Sequence, residues 1–136
     1  MTEEFVGKVA AIVIREGIDG TELLVFDHPL EDGGISVQLP AGTIEPNEAP
    51  ELAVVRELLE EAGVPGQIIA LAGVRDEEWE GEKRRRWVYL LSAPDWLLDE
   101  WPSTCDCGTP TRCHWVPFEV AELMGEIARA WVQSSD

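Results

Sequence analysis

The stretch from Gly42 to Val64, GTIEPNEAPELAVVRELLEEAGV, carries most of the information in this chain. Its periodicity predicts an α-helix that runs to about Ala62, with Gly63 placed to end it. Three carboxylates share one arc of that helix because residues three and four apart lie on the same side: Glu57, Glu60 and Glu61. Like charges at this spacing destabilise a helix by roughly a few tenths of a kcal/mol per pair. The cluster therefore indicates a counter-charge such as a hard divalent cation.

The same helix is predicted to have a separate apolar arc that faces the core. The residues of that arc recur at helical spacing: Leu52, Val55, Leu59 and Ala62. Asn47 or Glu48 is expected to cap the start of the helix, with Pro50 near its first turn, where proline is tolerated.

The fixed positions around the helix follow a longer pattern. Five residues separate Gly42 from Glu48, and seven more lead to the run from Arg56 to Val64. This arrangement resembles the Nudix box, GX5EX7REUXEEXGU with U aliphatic, and every fixed position matches. The resemblance implies that Glu57, Glu60 and Glu61 bind a metal and that water attacks a diphosphate linked to another moiety.

The resemblance also implies the roles of the neighbouring residues. Arg56 and Glu48 are expected to orient the ligand carboxylates, with a plain surface ion pair as the alternative. The expected catalytic set is therefore Glu57, Glu60, Arg56 and Glu48. Gly42 is expected to lie with its backbone against the metal, so the metal set also includes it. The expected cofactor is Mg2+, with Mn2+ as a substitute, because Mg2+ prefers oxygen ligands and substrate phosphates.

The general base stays open at this point, because geometry decides it and the sequence does not supply geometry. Glu57 is the first candidate inside the box. Acids outside the box are alternatives, each of which is more simply a solvated surface residue: Glu77, Glu78, Glu80, Glu82, Asp99 and Glu100.

Composition limits the kinds of partner. The chain has 136 residues, which fits a single domain over 1–136, and a formal net charge of −17. This charge argues against a nucleic-acid polymer but permits a small phosphorylated nucleotide-type substrate, since a bound metal inverts the local field. No apolar run is long enough for a membrane helix, and the start MTEEFVGK lacks the features of a signal peptide. A cytoplasmic protein is expected, and the family resemblance makes a homodimer an open option.

The hydrophobic pattern predicts an α/β protein, a Nudix-like α/β/α sandwich with a central mixed β-sheet. The residues 93–110 are expected to form a long loop, and 118–132 a C-terminal helix. Strands are expected at 8–15, 22–27, 37–39, 67–74, 87–91 and 113–116, with a charged hairpin or loop over 77–86.

A basic run, Lys83 to Arg86, stands out in this acidic chain. On a strand, Arg85 and Trp87 share one face, so they are expected to contact substrate phosphates and a base. The alternative is local charge balance with the acids of 76–82. The other tryptophans are expected to pack in the core or at its edge: Trp79, Trp96, Trp101, Trp115 and Trp131.

Three cysteines and a histidine lie close together near the C-terminus: Cys105, Cys107, Cys113 and His114. They leave open a Cys3His zinc site, although adjacent Cys113 and His114 are poorly placed to reach one ion. The alternative is a loop with reduced thiols. His28, before Pro29, is expected to have no chemical role.

The function expected from the resemblance is a metal-dependent pyrophosphohydrolase that cleaves a nucleoside diphosphate derivative: a nucleoside triphosphate, ADP-ribose or a sugar nucleotide, or a dinucleoside polyphosphate. Signals outside the box that mark particular substrates are missing. The alternative is a non-catalytic Nudix-fold module that binds a nucleotide and regulates another protein. The intact glutamates favour the enzyme.

Overall fold

The computed structural model describes residues 4–105 and 107–118. This part of the chain contains one helix and an eight-stranded sheet. The elements are β1 (Val6–Gly17), β2 (Gly20–Pro29), β3 (Ile35–Gln38), β4 (Ala41–Thr43), α1 (Pro50–Ala62), β5 (Gln67–Trp79), β6 (Glu82–Ser92), β7 (Glu100–Thr104) and β8 (Pro110–Pro117).

The sheet is mixed, with β1 at its centre. The main path is β5-β6-β1-β2-β8-β7, while β3 pairs with β2 and β4 pairs with β1. The β1–β6 pair is parallel, from Val6 opposite Arg84 to Ile14 opposite Ser92, and the other pairs are antiparallel. The β1–β4 pairing places Gly42 opposite Val9, which sets the start of the 42–64 stretch against the central strand.

The alternation of β1 builds two cores, one on each face of the sheet. Val9, Ala11 and Val13 pack with the inner face of α1. Ala10 and Ile12 belong to a second cluster on the opposite face. Because β1 is apolar on both faces, it can only lie inside the sheet, as the β-branched run of 8–15 predicted.

Helix α1 differs from the prediction at its N-terminal end and matches it at its C-terminal end. Its N-cap is Ala49, and no side chain caps it, so the expected cap by Asn47 or Glu48 is wrong. The carboxylate of Glu48 instead accepts a hydrogen bond from the backbone of Glu45. The C-terminal prediction is confirmed, since Gly63 adopts the left-handed conformation, with φ 71°.

The buried face of α1 also differs from the expected apolar arc. Leu52 and Leu59 are 63% and 54% exposed. The buried stripe has the spacing i, i+1, i+4, i+5, i+8, i+9 and includes two of the carboxylates: Ala53, Val54, Glu57, Leu58, Glu61 and Ala62. The prediction placed Leu52 and Leu59 on the buried face because leucine is more hydrophobic than glutamate. The predicted buried face is therefore rotated about the helix axis relative to the face that the structure buries.

Other differences concern the connections. The expected loop over 93–110 contains β7, and the short strand β4 was not expected. The charged segment 77–86 is a hairpin that continues β5 and β6. Trp79 and Trp96 are 60% and 68% exposed, so packing was the wrong expectation for both. Trp131 and most of the expected helix over 118–132 lie outside the described residues.

The α/β class with a mixed sheet is confirmed. Among the described residues, no helix has the length and apolar character needed to cross a membrane. Cellular location and self-association stay predictions.

Candidate functional site

Arg56 is the centre of a charged network that joins α1 to the end of β4. Its Nε and Nη2 each lie 2.8 Å from a different carboxylate oxygen of Glu48. Its Nη1 donates to Glu57 Oε1 at 2.9 Å and to Glu60 Oε2 at 3.1 Å, and Nη2 donates to the carbonyl of Thr43 at 3.1 Å. One guanidinium thus contacts three box carboxylates and the end of β4, which is more than a plain surface ion pair.

The network strongly perturbs the protonation of its members. The Arg56 guanidinium and the backbone N–H of Glu45 lower the pKa of Glu48 to about 2. The hydrogen bond to Glu48 raises the pKa of Arg56 above its ordinary value, against the opposing effect of burial. Both groups are therefore charged at neutral pH, as a charge-assisted fork requires.

Glu57 packs against the backbone of β4. Its side chain is almost completely buried, and a Cβ placed on Gly42 would collide with its carboxyl group. Only glycine permits this approach, so Gly42 provides the space that the Glu57 carboxyl group occupies. The structure brings these two residues together although they are fifteen positions apart in the chain.

The other two box carboxylates have different surroundings. Glu61 is 7% exposed, and its Oε1 accepts a hydrogen bond from the backbone N–H of Ala41 at 2.8 Å. Glu60 has a 49% exposed side chain. The predicted arc thus holds two carboxylates against β4 and one that faces solvent. Together they form a set of hard oxygen donors suited to Mg2+ or a similar cation.

Lys8, which the sequence interpretation did not single out, lies close to this network. Its Nζ lies 2.6 Å from Thr43 Oγ1, next to Gly42. Burial, followed by the charges of Arg84 and Arg86, lowers its pKa, while Glu82 and Glu57 oppose that shift. The β1–β6 register that places Lys8 opposite Arg86 explains this proximity. A parallel pairing between strands more than 70 residues apart has no local sequence signal.

A cleft of about 430 Å3 adjoins the carboxylates at the C-terminal end of α1. Its walls include Glu60 and Glu61 on one side and the apolar side chains of Trp96, Leu98 and Trp101 on the other. The indole N–H of Trp101 donates to the carbonyl of Ala62 at 2.7 Å, which ties β7 to the end of the helix. The mouth of this cleft is apolar because Trp96 and Leu98 are exposed.

Arg85 and Trp87 share one face of β6, as expected, but their contacts are local. Two nitrogens of Arg85 lie 2.7 and 3.0 Å from the Asp76 carboxylate, and its guanidinium stacks 4.2 Å from the Phe5 ring centre. Trp87 packs against the core cluster beneath α1. Local charge balance accounts for these contacts of Arg85, and a substrate role for the pair stays a prediction.

Most candidate bases outside the box are engaged by arginines. Glu77 and Glu82 accept from Arg86 and Arg84. The other two engaged acids, Asp99 and Glu100, accept from Arg15 and Arg112. Among the candidates, Glu57 is the one that lies within the Arg56 network.

The Cys3His zinc set that the sequence left open does not come together. The side chain of Cys113 is buried toward α1, and its Sγ donates to Ser103 Oγ at 3.2 Å. His114, the next residue on β8, points to the other face, where Nε2 lies 2.7 Å from Asp27 Oδ1. Cys105 and Cys107 form a disulfide, so reduced thiols were the wrong expectation for these two.

Comparison with known proteins decides the family. The NUDIX domain model matches residues 6–134. The chain belongs to the NUDIX family.

Curated relatives of this NUDIX protein include diphosphoinositol polyphosphate phosphohydrolase 3-alpha of Mus musculus, 34% identical over 119 residues, with 88% of this chain and 68% of the relative covered. The 3-beta protein of Homo sapiens is 35% identical over the same shares of the two chains. The enzyme prediction, a Nudix hydrolase acting on phosphoric anhydrides, is confirmed.

Solved structures support the fold. A NUDIX hydrolase from Nitrosomonas europaea has a TM-score of 0.68 and 23% identity, covering 91% of this chain and 80% of that chain. A C. elegans Ap4A hydrolase in a binary complex has a TM-score of 0.69 and 17% identity, covering 92% and 89%. These likenesses confirm the predicted Nudix fold.

Proposed function

We propose that this NUDIX protein is an Mg2+-dependent pyrophosphohydrolase that cleaves the diphosphate linkage of a nucleoside diphosphate derivative. The observation that carries the proposal is the Arg56 network, in which one guanidinium positions Glu48, Glu57 and Glu60 at once. Family members are hydrolases, and Nudix hydrolases generally use divalent cations.

The residues fit a hard cation. Glu57, Glu60 and Glu61 supply carboxylate oxygens from one side of a helix, and Gly42 leaves the Glu57 carboxyl group room against the β4 backbone. In the proposal these three glutamates hold Mg2+, or Mn2+ in its place. The bound cation would neutralise charge on the diphosphate and lower the pKa of a coordinated water.

The protein itself contributes orientation and charge. The fork between Arg56 and Glu48 keeps the guanidinium in one position, so its third nitrogen holds the Glu57 and Glu60 carboxylates in place. Glu57 is the proposed proton acceptor for the attacking water because its carboxylate lies inside the network. Lys8, whose ammonium lies beside Thr43 and close to the charges of Arg84 and Arg86, is placed to contact a substrate phosphate.

The cleft beside Glu60 and Glu61 supports a nucleotide as the substrate. Apolar lining with a few polar groups at one end suits an aromatic base joined to phosphates. The exposed indole of Trp96 offers a stacking surface at the mouth. A nucleoside would occupy the apolar wall while its diphosphate lies toward the carboxylates.

A second candidate substrate follows from the relatives. Two relatives at 34% and 35% identity carry the name diphosphoinositol polyphosphate phosphohydrolase. Such a substrate carries many phosphates and no aromatic ring, so its binding site requires many cationic side chains that are available to the phosphates. The net charge of −17 and the ion pairs of Arg84, Arg85 and Arg86 with acids weigh toward the nucleotide.

The test is product release from a panel of nucleoside triphosphates, ADP-ribose, sugar nucleotides, dinucleoside polyphosphates and diphosphoinositol polyphosphates, with Mg2+ and with a chelator. The proposal expects Mg2+-dependent cleavage of one nucleotide group at a kcat/KM at least about tenfold above the inositol substrates. Preference for the inositol substrates would replace the substrate assignment, and metal-independent turnover would overturn the cation assignment.

A further inference from the structure

A second cluster of ligand-type side chains lies outside the Arg56 network. His28 is near the end of β2, and Cys105 and Cys107 lie in the turn between β7 and β8. One ligand atom from each of the three lies within 4.8 Å of the other two. His28 Nε2 and Cys107 Sγ are 3.3 Å apart although 79 positions separate them in sequence. The fold therefore assembles this cluster from two distant segments.

The imidazole of His28 is oriented for ligation. Its Nδ1 lies 2.8 Å from the carbonyl oxygen of Pro29. A carbonyl oxygen only accepts hydrogen bonds, so Nδ1 carries the proton and, in the neutral ring, Nε2 carries a lone pair. That lone pair faces Cys107. A backbone carbonyl on the far nitrogen is the usual support of a metal-ligating histidine, since it fixes both tautomer and ring orientation.

The turn that carries the two cysteines is held by its own backbone. The N–H of Cys105 donates to the carbonyl of Thr109 at 3.0 Å, and the N–H of Gly108 donates to the carbonyl of Cys105 at 2.9 Å. The N–H of Thr109 also donates to Cys105 Sγ at 3.3 Å. Hydrogen bonds to sulfur stabilise thiolate charge and tune metal–sulfur sites. The turn thus presents both sulfurs toward His28 in a fixed arrangement.

We propose that the dithiol form of Cys105 and Cys107 binds a zinc-class divalent cation, with His28 Nε2 as the third protein ligand and water as the fourth. Zinc–sulfur bonds of about 2.3 Å and zinc–nitrogen bonds of about 2.0 Å in a tetrahedron place N and S roughly 3.5 Å apart. The separation of 3.3 Å between His28 Nε2 and Cys107 Sγ is close to that edge. His28 thus takes the place of Cys113 and His114, which face other partners.

The site depends on redox state because the structure joins the two sulfurs as a disulfide. A trialkylphosphine supplies two electrons to the disulfide, two protons complete the thiols, and the phosphine becomes its oxide with an oxygen from water. Binding of the cation then releases the two thiol protons. The ion would tie the end of β2 to the β7–β8 turn, and oxidation to the disulfide would remove its sulfur ligands.

The test uses the full chain in two states. Protein reduced with a phosphine and desalted without oxygen is compared with the disulfide form, which has the same sequence. Zn2+ stoichiometry is measured by elemental analysis and affinity by competition with a chromogenic chelator, and Co2+ serves as a spectroscopic probe of thiolate ligation. We expect the reduced chain to bind one more Zn2+ than the disulfide form, and to give a thiolate-to-cobalt charge-transfer band that the disulfide form lacks.

Single substitutions distinguish the proposed ligands from Cys113, which lies outside the proposed site. His28→Gln should weaken Zn2+ binding to the reduced chain at least about tenfold, Cys107→Ser should abolish the charge-transfer band, and Cys113→Ala should change neither. Mg2+-dependent hydrolysis by His28→Gln should equal that of the wild type, so failure of the zinc site is distinguishable from failure of the proposed function. A reduced chain with three titratable thiols and no charge-transfer band, or equal affinity in His28→Gln, would overturn the proposal.

Discussion

Arg56 and Glu48 form a two-pronged ion pair, with both nitrogen–oxygen distances at 2.8 Å. The pair uses two nitrogens of the guanidinium, and Nη1 then reaches Glu57 and Glu60. Lysine carries the same charge but no planar fork, so it cannot hold three carboxylates in this arrangement.

The first prediction follows from this geometry. Arg56→Lys should lower kcat/KM by about 10- to 100-fold, the usual effect of losing an outer partner of metal ligands, and should raise the Mg2+ concentration needed for half-maximal rate. Steady-state kinetics over an Mg2+ titration measure both effects. Arg112→Lys is the matched control, because Arg112 forms an exposed ion pair with Glu100. Equal losses in the two variants would contradict a positioning role for Arg56.

The second prediction concerns acid stability. The pKa of Glu48 is lowered from 4.5 to about 2 in the folded protein. A lowered folded-state pKa contributes stability that is fully present above pH 4.5 and is lost as the pH falls toward 2. The wild type should therefore exceed Glu48→Gln in unfolding free energy at neutral pH, and this difference should shrink below pH 4.5. Urea unfolding of both proteins without divalent metal measures the difference, and a constant gap down to pH 2 would contradict it.

The third prediction concerns the contact between Gly42 and Glu57. Gly42→Ala places a methyl group into the Glu57 carboxyl group, so it should cost about 1–3 kcal/mol of stability and at least about tenfold in kcat. Glu57→Asp in the Gly42→Ala background shortens the carboxylate and should recover stability without recovering activity. Thermal unfolding and turnover of the single and double variants measure this. Full activity of Gly42→Ala would show that the close approach has no catalytic role.

The fourth prediction concerns the cleft. Trp96→Ala should raise KM for the preferred nucleotide by about 5- to 30-fold, the equivalent of 1–2 kcal/mol of stacking, with a smaller effect on kcat. Trp79→Ala is the matched control because Trp79 is similarly exposed but lies at the β5–β6 turn. An unchanged KM in Trp96→Ala would contradict the proposal that the nucleoside binds in this cleft.

The sequence predicted those parts of the fold that short-range pattern determines. The strands at 8–15 and 22–27 and the stop at Gly63 have local signals, and the structure contains all three. The orientation of α1 was missed because it depends on a tertiary contact. Glu57 and Glu61 are buried where β4 offers space and a backbone donor, and hydrophobicity cannot predict a buried carboxylate.

The candidate site shows the same difference between features with a local sequence signal and features that depend on tertiary contacts. The box spacing identified Glu48, Arg56 and the helix carboxylates, and the structure joins Arg56 to Glu48, Glu57 and Glu60. The contacts of Lys8 with Thr43 and of His28 with Cys107 were not predicted, because these partners lie 35 and 79 positions away. Only the sheet pairing brings such residues together, and a single sequence carries no local trace of that pairing.

The most direct test of the central claim is the Mg2+ dependence of turnover in Glu60→Gln/Glu61→Gln, with Glu51→Gln, an exposed acid of the first turn of α1, as the control. We predict that the double variant unfolds at nearly the wild-type temperature, needs at least about tenfold more Mg2+ and loses about 100-fold or more in kcat, while the control behaves as wild type. Wild-type turnover at wild-type Mg2+ concentrations in the double variant would contradict the assignment of these carboxylates to the metal.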